Sequence, residues 1–409
     1  MRIAVLMFLG LAALAGCDAV GQDTPTDPAT ITLSPVTEAA VAKSNDFGVR
    51  LFDLTAADRD ENLMLSPLSA SVALTMLLNG SDGDTYTQIR DMLGYDASQD
   101  LDAINAGYQS LREQLLEADP QVQLALANAV FYRDTFGPSI QSTFLDAMRE
   151  SFHARIDGLD FTDQTAALAE VNGWASDNTN GKIPEVLAEL SPDLVMLLMN
   201  ALYFKGDWTT QFDEAATTDR TFTLSDGSPI QVPTMNGDID ARYLAGDGYT
   251  AVELPYGRRN FSMIVAVPDA PLGDFVDELA TGGWTDLTED LGTDDTWRTV
   301  IVSLPRFTFE NDEFLNAPLQ ALGMVDAFSG SRADLTRIAP SLVVSFVKQN
   351  TFVEVNEEGT EAAAVTTIGI ETTSVPSHPI FVADRPFVFA IRERTTNTLL
   401  FIGQVTDPR

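Results

Sequence analysis

The sequence predicts an α+β fold in one large domain, and three observations carry this. Apolar residues recur at helical spacing over Glu38–Leu54 and again after Pro67. From Gln123 onward most apolar runs are short, rich in β-branched residues, and bounded by Gly, Asp or Pro. No second linker and no internal repeat interrupts the roughly 370 residues from Glu38 to the C-terminus, which hold ample apolar content for a core.

The N-terminus stands apart. Arg2 precedes an apolar run, Ile3–Leu14, that is too short to cross a bilayer comfortably and has the layout of a secretory signal. Leu14-Ala15-Gly16-Cys17 resembles the bacterial lipobox, in which cleavage before the cysteine leaves it lipidated. Cys17 is the sole cysteine, so it has no disulfide partner in the chain. Residues 18–37 are polar and rich in Pro, Thr and Asp, the composition of a tether. The expected organisation is a signal peptide over 1–17, a flexible tether over 18–37 and a domain over 38–409. The product is expected to be exported, and lipid-anchored to a membrane of the bacterial cell envelope through Cys17 or extracellular.

Within the domain, Glu38–Leu54 predicts a helix. Asn62–Leu78 begins as a short strand, and Pro67 then opens a helix for which Ser66 is a good cap. The turn Gly80–Thr85 ends it. Strands are predicted over Gln123–Tyr132, Thr221–Met235, Ala251–Tyr256 and Phe261–Pro268. Another runs over Val300–Glu310, where Pro305 signals an edge or a bulge. Leu315–Leu322 predicts a helix ended by Gly323. Strands Asn350–Asn356, Pro386–Ile391 and Leu399–Val405 close the chain.

Between the last of these strands lies the most informative stretch, Glu357–Pro376, reading EEGTEAAAVTTIGIETTSVP. It occupies a gap of about thirty residues, long for a loop in a compact domain. Yet from Thr360 the alternate positions Thr360, Ala362, Ala364, Thr366, Ile368, Ile370 and Thr372 carry no charge, while Glu361 and Glu371 fall on the other parity. Period two with one uncharged face is the pattern of a strand lying on a core. The segment stands where a loop belongs and is written so that it could become a strand.

The wording EEGTEAAA after FVEVN closely resembles the hinge of the serpins, the suicide inhibitors of serine proteases. In that family a protease cuts this loop, and its N-terminal part inserts as a new central strand in a large sheet. Other segments carry the same resemblance in the family's order. NLMLSPLSASVALTMLL resembles the second helix, with Ser66 and Ser69 matching the shutter beneath the main sheet. VNGWASDNTNGKIP and MLLMNALYFKGDW resemble two further signatures, in which Asn200 matches a shutter asparagine and Trp208 the tryptophan at the breach, where the strand first enters. Taken alone, Ser66 is a helix cap and Trp208 a core aromatic. Gln349 departs from the pattern, standing where many serpins have a shutter histidine; it still donates and accepts hydrogen bonds.

The resemblance implies the serpin fold, with three β-sheets, about eight or nine helices and an exposed reactive-centre loop over about 357–380. It implies a hinge at Glu357, Gly359, Thr360, Glu361, Ala362, Ala363 and Ala364, with no cofactor and a monomeric state. The implied partner is a serine protease, trapped as a covalent acyl complex. The family's spacing from Gly359 sets the scissile bond at Thr373–Ser374; counting back from Pro386 allows Val375. No Arg or Lys lies between Gly359 and Ala383, which points to elastase-like or subtilisin-like targets. Before cleavage, position 360 is expected at the solvated mouth of the loop. The alternative is a non-inhibitory serpin with a binding or structural role in the envelope.

Composition bounds the rest. The formal net charge is −36, with lysine only at Lys43, Lys182, Lys205 and Lys348. So acidic a chain argues against nucleic acid and other polyanions as partners; the same habit marks proteins of saline habitats. The only histidines, His153 and His378, sit in no nucleophile motif, and no H-E-x-x-H, CxxC or phosphate-binding loop is present. These absences argue against an enzyme and against a metal site. The acidic turn at Asp294 and Asp295 reads as solvated surface, with weak calcium binding as the alternative.

Overall fold

The structure is a computed structural model and describes residues 28–293, 297–360 and 378–409. Helix α1 (Pro35–Ala56) opens the domain. The Ser34 hydroxyl caps it by accepting from the Thr37 N–H, and Pro35 occupies the first turn, so the helix starts three residues before the predicted Glu38. Of the expected tether over 18–37, residues 28–37 are described, and Ala29 and Leu33 lie against the domain. The Asn260 amide accepts from the Ala29 N–H at 2.6 Å and donates to its carbonyl at 2.9 Å, and Leu33 joins the core. Strand β1 (Leu63–Leu65) leads into α2 (Pro67–Gly80), which is buried over nearly its whole length and capped by Ser66. Helices α3 (Gly83–Leu93) and α4 (Leu101–Glu117) pack around it.

The chain then alternates between layers through β2 (Val122–Arg133), α5 (Ser142–Glu150), β3 (Arg155–Leu159), α6 (Gln164–Asn178) and β4 (Met196–Asp207). A run of strands follows: β5 (Thr218–Thr223), β6 (Pro229–Ala245), β7 (Tyr249–Pro255) and β8 (Phe261–Pro268). Helices α7 (Leu272–Glu278) and α8 (Trp284–Thr293) precede β9 (Arg298–Pro305), β10 (Phe307–Phe314) and α9 (Asn316–Ala321). The remaining strands are β11 (Lys348–Val355), β12 (Gly359–Thr360), β13 (Ile380–Val382), β14 (Phe387–Glu393) and β15 (Thr398–Val405).

One sheet has nine strands, ordered β1-β15-β14-β8-β7-β6-β9-β13 with β5 on β6. Two of the three expected sheets are continuous here through β6, which pairs with β9 over Thr234–Ala241 and with β7 over Arg242–Ala245. Strands β8, β14 and β15 are buried at every position, which is why they read as unbroken apolar runs. The predicted single strand Val300–Glu310 is two strands in different sheets. Pro305 ends β9 against β6, the Arg306 N–H donates to the Pro233 carbonyl, and β10 starts at Phe307 in the other sheet.

That other sheet has six strands, ordered β10-β11-β12-β4-β2-β3. Its two halves are regular: β10 pairs with β11 along eight residues and β2 with β4 along eleven. Only the two residues of β12 join them, and among the described residues β4 and β11 share no ladder of their own. The sheet is open along its middle. A cavity of about 560 Å³ fills the opening, walled by β4, by the chain from Pro340 into β11, by α2 beneath and by the segment after α6 above.

Candidate functional site

The site begins where β11 runs out. The Asn356 side chain accepts from the N–H groups of Glu358 and Gly359 at 3.1 and 3.3 Å, and the Asn356 backbone N–H donates to the Gly359 carbonyl. This tight turn reverses the chain into β12, with Thr360 opposite Val355 on one side and Gly206 on the other. Glycine is required at 359 by close approach: a Cβ there would lie 2.1 Å from the Gly206 carbonyl oxygen.

Glu357 and Trp208 are held at this turn by hydrogen bonds. The buried Glu357 carboxylate accepts from the Arg306 guanidinium, Nε at 2.6 Å, and from the Thr217 hydroxyl. Trp208 donates its backbone N–H to the Glu358 carbonyl at 2.8 Å and its indole N–H to the Asn356 carbonyl at 2.9 Å. Its ring stacks on Tyr256, with centroids 4.4 Å apart. Burial, then the carboxylates of Asp207 and Glu214, push the Glu358 carboxyl above its ordinary value.

Thr360 is the largest departure from expectation. It is 4 % exposed, and its hydroxyl lies 2.6 Å from that of Tyr256. The expected solvated position at the loop mouth is corrected: the two-residue ladder and the Tyr256 hydroxyl draw Thr360 inside. Tyr256 is fully buried, which drives its phenol far above the usual range and keeps it a neutral partner. Sequence reasoning missed Tyr256, which ended a predicted strand without distinguishing mark.

Lower in the slot, Gln349 reads the Ser66 peptide in both directions. Its Oε1 accepts from the Ser66 N–H at 2.8 Å and its Nε2 donates to the Ser66 carbonyl at 2.9 Å. The Ser66 hydroxyl donates to the Leu400 carbonyl and accepts from the Ser69 N–H. Asn200 faces them from β4. Its Nδ2 donates to Asn128, while its Oδ1 is buried without a partner among the described residues. Ser66, Ser69, Asn200 and Gln349 all line the cavity, and Trp208 is bonded to the turn at Asn356.

Cys17, Asp294, Asp295, Glu361, Ala362, Ala363, Ala364, Thr373 and Ser374 lie outside the described residues. His153 is exposed beyond α5, and His378 opens the segment leading to β13. Among the described residues no three His, Cys, Asp or Glu side chains are grouped to hold a metal, and no helix is long and apolar enough to cross a membrane.

A sheet whose halves are joined only by a two-residue strand, entered through a turn that requires glycine at 359, defines a class of protein, and comparison with known proteins agrees. Residues 42–408 match the family described as Serpin (serine protease inhibitor), and the chain belongs to it. It is 35 % identical over 361 residues to the leukocyte elastase inhibitor of Xenopus laevis, covering 85 % of this chain and 93 % of that one. It is 34 % identical over 371 residues to Serpin B6 of Macaca fascicularis, covering 88 % and 97 %. The crystal structure of the thermophilic serpin tengpin in its native state superposes with a TM-score of 0.81 at 28 % identity, covering 93 % of this chain and 97 % of that one.

Proposed function

We propose that this chain traps serine proteases as a covalent suicide inhibitor. The observation that carries the reading is β12: two residues of the hinge already lie as a strand between β4 and β11, above an empty slot. Extending that register sets Ala362 between Phe204 and Val353, Ala364 between Leu202 and Thr351, and Thr366 between Asn200 and Gln349. Alanine and threonine fit beside such neighbours, and a threonine hydroxyl would give the orphaned Asn200 Oδ1 a donor.

The chemistry belongs to the protease. Its serine oxygen attacks the carbonyl carbon of Thr373 at the expected scissile bond, forming an ester and releasing the amino group of Ser374. Insertion of the freed strand draws the ester-linked protease along the sheet before water can cleave it. Absence of Arg and Lys from 360–382 supports elastase-like or subtilisin-like targets. Purified protein mixed with such a protease should leave an adduct that survives SDS. Cleavage without an adduct would instead indicate a non-inhibitory serpin.

The lipobox-like ending at Cys17 supports an exported, lipid-anchored protein of a bacterial envelope. Cys17→Ser should abolish partition of the full chain into membranes; unchanged partition would remove the anchor from the reading.

A further inference from the structure

The signature VNGWASDNTNGKIP has so far had no task. It forms the end of α6 and the segment that roofs the slot. Asn180 and Gly181 both adopt left-handed backbone, φ 52° and 78°, and turn the chain across the opening. The Asn180 side chain donates to the Tyr203 hydroxyl on β4 at 3.2 Å. Two residues on, Lys182 reaches β11, where its Nζ lies 3.3 Å from Glu354 Oε2 and 4.6 Å from the centre of the Phe352 ring. The roof thus spans the slot from one bank to the other, just beneath Thr360, and Lys182 lines the small cavity that Thr360 also lines.

The register of β12 shows what arrives there. Thr360 lies opposite Gly206 and Val355, so a strand inserted in that register would bring Glu361 between Lys205 and Glu354. Residues directly opposite in an antiparallel ladder project on the same face. Glu354 and Lys205 are half-buried on the outer face, which Lys182 covers. Insertion therefore sets two carboxylates, Glu361 and Glu354, side by side, in a row that reads Lys205, Glu361, Glu354, Lys182. Like charges directly opposite are destabilising unless each has its own counter-ion.

We propose that Lys182 is a positioning residue for insertion of the loop: by holding Glu354 it leaves Glu361 free to pair with Lys205 and lets the strand pass its first charged position. The inference rests on the inhibitory reading above for its setting, but acts on insertion itself.

Two measurements test it. The first is the number of inhibitor molecules consumed per protease trapped. Lys182→Met should raise the excess over one by up to about fivefold, Lys182→Arg should stay near wild type, and Glu354→Gln added to Lys182→Met should restore the wild-type value. The second is the gain in Tm when the loop is nicked by subtilisin. That gain should shrink by about 1–3 °C in Lys182→Met and recover in the double variant. A purely structural role in the roof would not be rescued by removing Glu354. An unchanged or lowered consumption in Lys182→Met, or a double variant that fails to recover, overturns the proposal. Wild-type protein that gains stability on nicking but leaves no adduct would refute the inhibitory reading while the Tm comparison still decides the role of Lys182. No gain on nicking would refute both.

Discussion

A threonine hydroxyl 2.6 Å from a buried tyrosine hydroxyl decides what a substitution at position 360 does. Arginine there must either be buried against Tyr256 or force β12 out from between β4 and β11, and an unpaired buried guanidinium costs several kcal/mol, on the order of a whole hydrogen-bonded network. Thr360→Arg is therefore expected to leave loop cleavage intact and abolish the SDS-resistant adduct. It should also alter the uncut protein, because Trp208 stacks on the same Tyr256. The checks are a gel and the tryptophan emission of the uncut variant; wild-type emission together with full trapping would contradict the hinge geometry. The need for a small, uncharged residue at 360 was legible from its parity in the sequence. Its partner was not, because Tyr256 lies 104 residues away and nothing in Ala251–Tyr256 distinguishes a hinge contact from ordinary core.

Among the elements, α1 and α7 meet through a pair of acids. Burial first, then the hydrogen bond and charge of Asp277, push the Asp53 carboxyl up to about 6. The folded state thus holds this proton more tightly than the unfolded chain does. Its contribution to stability is full below the ordinary value of 3.8 and is lost as pH rises to about 6. Asp53→Asn, which cannot ionise, should melt higher than wild type at neutral pH, and the difference should close as pH falls through that window. Melting curves across the range check it; a constant difference would mean the two carboxylates do not share a proton. Elements with local signatures were readable in advance: Ser66-Pro67 announced α2 and Gly323 the end of α9. The division of Val300–Glu310 was not, since a proline marks an interruption without saying that the chain changes sheets. Nor was the pairing of Ala29 with Asn260, which depends on a contact across 231 residues.

For the molecule as a whole, the open sheet predicts that cutting the loop should stabilise the fold rather than weaken it. The nicked strand would satisfy the facing edges of β4 and β11 with about ten hydrogen bonds, at roughly 0.5–1.5 kcal/mol each. Limited digestion by subtilisin, with the cut mapped to 372–376 by mass spectrometry of the released peptide, should raise the Tm by roughly 6–19 °C. An unchanged or lowered Tm would show that the slot is not the loop's destination. The family could be read from the sequence because it rests on contiguous motifs. The slot could not, because it consists, among the described residues, of missing pairing between strands that are far apart in the chain.

The small contact between Ala29 and Asn260 sets a mechanical limit. Were Cys17 lipidated as proposed, about eleven residues would separate it from residue 28, a reach of at most about 40 Å. A domain of roughly 370 residues is about 50 Å across. That span is shorter than the domain is wide, so a chain anchored there would stand off a membrane by less than its own width. A large protease could then meet the loop only from the open side, and the geometry of mooring would act as a size filter on what is caught.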